Sequence, residues 1–147
     1  MSTLRCRLLL RTCVFLYAVA SLPSVVGTVN SAWNCQKASG AFTHELNATC
    51  HMTGEVVVSG ALTIEGLHGA HSQLVAADEK RHFLVDSKTS TLALKWLNLT
   101  SGAPDDHGGS IKITKGARLN VSHCIFYKNT ATSSTQQTSG GAIFAQR

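Results

Sequence analysis

Three leucines at similar spacing place the tightest limit on what this chain can fold into. With Leu62, Leu92 and Leu119 as origins, positions 0, 2, 5 and 7 hold Leu62, Ile64, Leu67 and Gly69. The second copy holds Leu92, Leu94, Leu97 and Leu99, and the third Leu119, Val121, Cys124 and Phe126. Eleven of these twelve residues are apolar or cysteine, and the origins lie 30 and 27 residues apart. A step of two keeps side chains on one face of a strand. The single step of three suits a bend between two short strands that face one interior, whereas a helix would need a period of 3.6. Thr63, Ala93 and Asn120 fill position 1, where a side chain would point to solvent.

A second landmark repeats with the first. Gly108-Gly109-Ser110-Ile111 returns as Gly140-Gly141-Ala142-Ile143 after 32 residues, each time behind a polar loop. Paired glycines there fit a turn that needs positive φ or close backbone approach. Gly102 and Asn129 recur ten residues after their origins, and both tolerate the left-handed conformation expected where a strand ends at a corner. A unit of about 30 residues with two or three short strands cannot bury one face alone, so successive units must stack. The expected fold is all-β, a right-handed parallel β-helix of about three coils. Burial of each large interior side chain contributes roughly 1.5–3 kcal/mol, set against an ordering cost of about 1–2 kcal/mol per residue, so the expected stability is marginal.

These motifs resemble the repeats of the chlamydial polymorphic outer-membrane proteins and of the wider pectin-lyase-like β-helix superfamily. The signature there is a GGA[ILV] and an FxxN tetrapeptide in each coil. Gly140-Gly141-Ala142-Ile143 and Phe126-Tyr127-Lys128-Asn129 match in full, Gly108-Gly109-Ser110-Ile111 departs by one residue, and Leu99 to Gly102 is a degenerate FxxN. Leu62-Thr63-Ile64-Glu65-Gly66 is similar to the opening coil of such helices. The resemblance covers about residues 55–145. It implies a β-helix and a surface-displayed adhesive passenger whose motif residues Gly108, Gly109, Ile111, Phe126, Asn129, Gly140, Gly141, Ala142 and Ile143 are structural. It implies no catalytic residues, and the family's transporter barrel has no counterpart here.

Charge narrows the partners. The formal net charge is +5, but Arg5, Arg7 and Arg11 fall in the first dozen residues, and without them 10 basic residues face 8 acidic ones. So small an excess makes no footprint for nucleic acid. Those arginines, followed by the apolar run Cys13 to Val19, read as a secretory signal over residues 1–27, with cleavage after Ala20 or after Gly27. The apolar run is too short to span a bilayer. Residues 28–54 then form an N-terminal cap region and 55–147 the coils. The chain stops just inside a new coil, which reads as an incomplete stack with an open end prone to self-association.

Export permits disulfides, and Cys35 with Cys50 is the candidate pair, leaving Cys124 as an interior residue. Asn47, Asn98 and Asn120 head N-glycosylation sequons, the last two at positions expected to face outward. Enzymes of this fold use clustered carboxylates on adjacent coils. Asp105-Asp106 is a local acidic pair and reads as a polar turn; the run Asp78, Glu79, Lys80, Arg81, His82 reads as a solvated turn. Seven histidines are expected to scatter over the surface, since His68, His71 and His82 lack the spacing of a zinc site. Trp33 and Trp96 are too far apart for a base-stacking platform. No catalytic, metal or cofactor residue is expected. The leading expectation is a secreted or cell-surface structural or adhesive protein that meets a surface, matrix or carbohydrate ligand. The alternative is the N-terminal fragment of a pectate-lyase-like enzyme.

Overall fold

The computed structural model describes residues 42–46 (backbone only), 49–69, 72–133 and 139–147. The expected signal over 1–27, with Cys35, Asn47 and His71, lies outside them. Every element among the described residues is a strand: β1 Phe42–Leu46, β2 Thr49–His51, β3 Val56–Val57, β4 Ala61–Gly66, β5 Gln73–Val75, β6 Phe83–Val85, β7 Thr91–Lys95, β8 Asn98–Thr100, β9 Ile111–Ile113, β10 Arg118–Ser122, β11 Ile125–Tyr127 and β12 Ile143–Ala145.

The strands build three four-stranded sheets, ordered β1-β4-β7-β10 (sheet A), β2-β5-β8-β11 (sheet B) and β3-β6-β9-β12 (sheet C). All pairings are parallel. The chain therefore visits A, B and C in turn and repeats the circuit four times, each third strand hydrogen-bonding its predecessor. The first circuit uses β1 and β2, so part of the segment expected as an N-terminal cap region already lies in the stack.

Register gathers like with like. Leu62 pairs with Leu92 and Leu92 with Leu119; Ile64, Leu94 and Val121 form the neighbouring column. In sheet B, Cys50, Leu74, Leu99 and Phe126 align, and in sheet C, Val56, Phe83, Ile111 and Ile143. Leu62, Ile64, Leu74, Phe83, Leu92, Leu94, Leu97, Leu99 and Ile111 are buried, and they form one continuous core. Alternation along short strands is enough to produce this, because every second residue of a strand faces the shared interior.

The second half of the first repeat copy departs from expectation. Leu67 is 58 % exposed and Gly69 is exposed, whereas Leu74 takes the place below Leu99. Ten residues separate Ile64 from Leu74 and five separate Leu94 from Leu99, so the first copy carries an insertion that ejects Leu67. Ser72 returns the chain to the wall, buried, with its hydroxyl accepting from the Leu67 amide at 3.2 Å. Gly66 marks the departure point, where a Cβ would lie 2.1 Å from the Trp96 carbonyl oxygen.

The fourth circuit also differs. Leu119, Cys124 and Phe126 are only half-buried against the core, and Val121 is 38 % exposed. Their columns are right, but among the described residues no strand pairs beyond β10, β11 or β12. Cys124 is thus a half-buried rather than a fully interior residue.

Candidate functional site

Circuits bring together residues far apart in sequence, most tightly at the corner leading into sheet C. Glu55 precedes β3, Arg81 precedes β6, and the loop 103–107 precedes β9. Arg81 donates through Nε to Glu55, through Nη2 to Asp106 and through Nη1 to the His107 carbonyl oxygen. Lys112 Nζ joins the second Asp106 oxygen at 2.6 Å. One guanidinium therefore ties three consecutive circuits, using the fork of donors that arginine alone provides. Burial by itself would raise the Asp106 carboxyl, but hydrogen bonds from Lys112 and Arg81 outweigh it and hold the group below its ordinary value of 3.8. Both carboxylates are consumed as acceptors of cations.

This arrangement corrects the expectation of a solvated charged run. Asp78, Glu79 and Lys80 are exposed, but Arg81 is buried and His82 has no exposed surface. The turn ends at Lys80, whose amide donates to the Ala77 carbonyl at 3.1 Å, and the next two residues already belong to the wall. Asp105 stays exposed, whereas Asp106 is half-buried in the clasp, so the acidic pair is split between solvent and structure.

His82 corrects the expectation of surface histidines. Its Nε2 lies 3.1 Å from the Leu74 carbonyl oxygen, which can only accept, so Nε2 carries the proton. Nδ1 then accepts from the Ser110 hydroxyl at 3.0 Å. Burial lowers the imidazole pKa from 6.5 to about 4, against the opposing hydrogen bonds to the Leu74 and Thr100 backbone. Ser110 is the single departure from the GGA[ILV] pattern, and it is buried with its hydroxyl spent on His82. A serine beside a histidine has the composition of a nucleophile–base pair, yet both side chains are sealed from solvent. The pair fastens the second circuit to the third.

The other histidines are more varied than expected. At the corner between sheets A and B, Trp96 stacks on His123 with ring centroids 3.8 Å apart, and His68 meets Trp96 edge-on at 4.3 Å. Trp96 and His123 both take the left-handed conformation, with φ of 58° and 54°. Equivalent corner residues on successive circuits must lie one above the other, and planar rings exploit that spacing. The inserted loop contributes His68 from the circuit below. Elsewhere His107 stacks on Phe144 at 4.4 Å. Among the described residues no group of three or more His, Cys, Asp or Glu could hold a metal ion.

The motif residues have divided roles. Gly108 and Gly140 both have positive φ, at 70° and 72°. Gly109 has no such need: a Cβ there would sit 2.0 Å from the Gly141 carbonyl oxygen. Gly141 meets nothing closer than 3.7 Å, because no described circuit lies above it. Ile111 is fully buried, Ile143 is 36 % exposed, and Ala142 accepts the Ser110 and Ile111 amides through its carbonyl. Asn129 accepts from the Gly102 amide at 2.9 Å and donates to the Leu99 carbonyl at 2.9 Å. The left-handed corner residues are Ser101 and Lys128, one place earlier than expected. Gly102 is needed for space instead, since its Cβ would be 1.9 Å from the Gly109 carbonyl oxygen.

Cys50 is buried and disulfide-bonded; Cys35, the expected partner, lies outside the described residues. Cys124 is free, donates to the Ser122 carbonyl at 3.3 Å, and has its thiol pKa raised by burial. Asn98 is half-buried and Asn120 exposed. On the outer face of sheet A, Thr63, Ala93 and Asn120 lie in one row and Glu65, Lys95 and Ser122 in the next. Lys95 and Glu65 pair at 2.9 Å. These rows line a shallow depression of about 430 Å³.

Comparison with known proteins returned no matching family model, no matching curated protein and no matching solved structure.

Proposed function

We propose that this chain forms a right-handed parallel β-helix carried outside the cell, non-catalytic, with a structural or adhesive role. The single observation behind this reading is the column register, in which Leu62, Leu92 and Leu119 stack inward while Thr63, Ala93 and Asn120 stack outward. Parallel strands joined by crossovers are overwhelmingly right-handed, because a right-twisted strand returns to its sheet only that way. Such a stack offers long, flat, parallel outer faces, and binding by repeat proteins uses surfaces of that kind.

Two further features support a non-catalytic role. Glu55 and Asp106, carboxylates drawn together across circuits, are both neutralised by Arg81. The Ser110–His82 pair has no route to a substrate. The N-terminal arginines and apolar run favour export, and the partner class is a surface, matrix or carbohydrate ligand.

The test is expression of the full chain in a secreting host, followed by binding of the purified protein to immobilised matrix proteins and polysaccharides. Recovery from the medium, with an N-terminus after Ala20 or Gly27, is expected, together with saturable binding to one ligand class. Retention inside the cell overturns the location. New unsaturated ends on pectin or alginate with Ca²⁺ overturn the non-catalytic role.

A further inference from the structure

We propose that Asn120, and not Asn98, is the sequon asparagine of the described stack that carries an N-linked glycan in the folded protein, its first sugar standing over the depression on sheet A. The inference rests on the secretory reading above, which brings the chain to the glycosylation machinery.

The two sequons differ in what surrounds them. In β10 the alternation sends Leu119 and Val121 toward the interior columns and Asn120 and Ser122 outward, and both outward residues are exposed. The register neighbours of Asn120 along its row are Ala93 and then Thr63. Two small side chains leave the 430 Å³ depression, whose far edge is the Glu65–Lys95 ion pair. That pair sets an acceptor and a donor beside the space a sugar ring would occupy, and a hexosamine has hydroxyl and acetamide groups to meet both.

Asn98 stands in a tighter row. Its register neighbours are Gln73 and Ile125, both longer than Ala93, the described register neighbour of Asn120, and Asn98 itself is half-buried. The hydroxyl of its sequon residue Thr100 is 3.0 Å from Gln73 Nε2 and 3.5 Å from the Leu74 carbonyl oxygen, and Thr100 is 8 % exposed. A branched sugar on Asn98 would have to emerge between Gln73 and Ile125 and disturb the Gln73–Thr100 contact. Sugar transfer acts on the chain before it has finished folding, so the fold selects among glycoforms: the one bearing sugar on Asn120 loses no packing, and the one bearing it on Asn98 does.

The step is a group transfer without redox change. Asn120 Nδ2 forms a bond to C1 of the reducing-end N-acetylhexosamine of a lipid-pyrophosphate oligosaccharide. The bond from C1 to the pyrophosphate oxygen breaks, the lipid pyrophosphate departs with the electron pair, and Nδ2 gives up one proton.

The experiment expresses the full chain in a glycosylating eukaryotic host in two forms, one with its own residues 1–27 and one with a proven leader in their place. Secreted protein is treated with an amide-cleaving glycanase in ¹⁸O-water and mapped by mass spectrometry. Labelled aspartate at position 120 and unlabelled asparagine at 98 are expected. N120Q and S122A should each lose the mass of one glycan, and N98Q none. Unlabelled Asn120, or labelled Asn98, in protein made with the proven leader overturns the proposal. Loss of secretion with the native leader alone overturns the export reading and leaves the Asn120 test intact in the other form.

Discussion

At the scale of single residues, the corners of the stack are where polar chemistry decides stability. Asn129 answers one amide and one carbonyl of the circuit below, those of Gly102 and Leu99. Replacing it with leucine orphans both groups, at about 1–3 kcal/mol for each buried one. We expect N129L to lose about 2–4 kcal/mol in urea denaturation and N129D, which keeps the acceptor, to lose less. The neighbouring positions 101 and 102 should respond in opposite directions. Ser101 is strained by a φ of 66°, so S101G should gain up to about 1 kcal/mol. Gly102 has no room for a Cβ, so G102A should cost several kcal/mol by forcing the third circuit apart. Equal effects of S101G and G102A on thermal denaturation would contradict this division. The FxxN pattern announced Asn129 in the sequence. The exchange of roles between Ser101 and Gly102 was not legible there, because positive φ and lack of space both select glycine.

At the scale of elements, each strand is too short to be stable alone and depends on the strands it pairs with. Burial at equivalent positions therefore varies with circuit. Leu94 is fully enclosed between Ile64 and Val121, whereas Val121 is 38 % exposed. L94A should lose about 3–4 kcal/mol and V121A under about 1 kcal/mol, measured by denaturant titration. The clasp links elements rather than layers of core. Arg81 is buried, and removing it leaves Glu55 without its cation and Asp106 with Lys112 alone. R81A is expected to lose about 1–3 kcal/mol, the partial exposure of both carboxylates reducing the cost of a fully buried broken pair. The further substitution E55Q on that background should cost almost nothing if Arg81 and Glu55 act as one unit, whereas D106N should still cost the pair with Lys112. Strand positions were readable from period-two alternation, and the insertion after Gly66 was not. Leu67 and Gly69 occupy the expected offsets, and only pairing of β5 with β8 reveals that Leu74 is the true successor.

At the scale of the whole molecule, His82 couples the stack to pH. Its folded pKa of about 4 lies below the ordinary imidazole value of 6.5. Between those values the unfolded chain binds a proton that the folded chain refuses. The contribution is complete above pH 6.5 and is lost as pH falls toward 4, by about 3 kcal/mol. Asp106 acts in a lower window: its depressed pKa gives stability that is present above pH 3.8 and lost only as pH falls through the folded value. Urea midpoints at pH 7.5, 5.5 and 4.0 should fall steadily for the native chain and stay nearly level for H82Q. A parallel fall in H82Q would assign the acid sensitivity elsewhere. The connection from His82 to Ser110 was hinted at in the sequence by the serine that replaces the motif alanine. Its partner could not be named, because 28 residues separate them and the register brings them together.

By itself, the sequence determined the parts that depend on neighbours along the chain. Alternation set which strand residues face inward, and the recurrence of Leu62, Leu92 and Leu119 set which of them share a column, because like side chains stack best on like. The tertiary structure alone decided how circuits of unequal length stay in register, which charges leave solvent, and which rings meet at a corner. Those outcomes depend on distances between residues 25 or more positions apart, and no local pattern encodes the length of a loop's excursion before it returns to the wall.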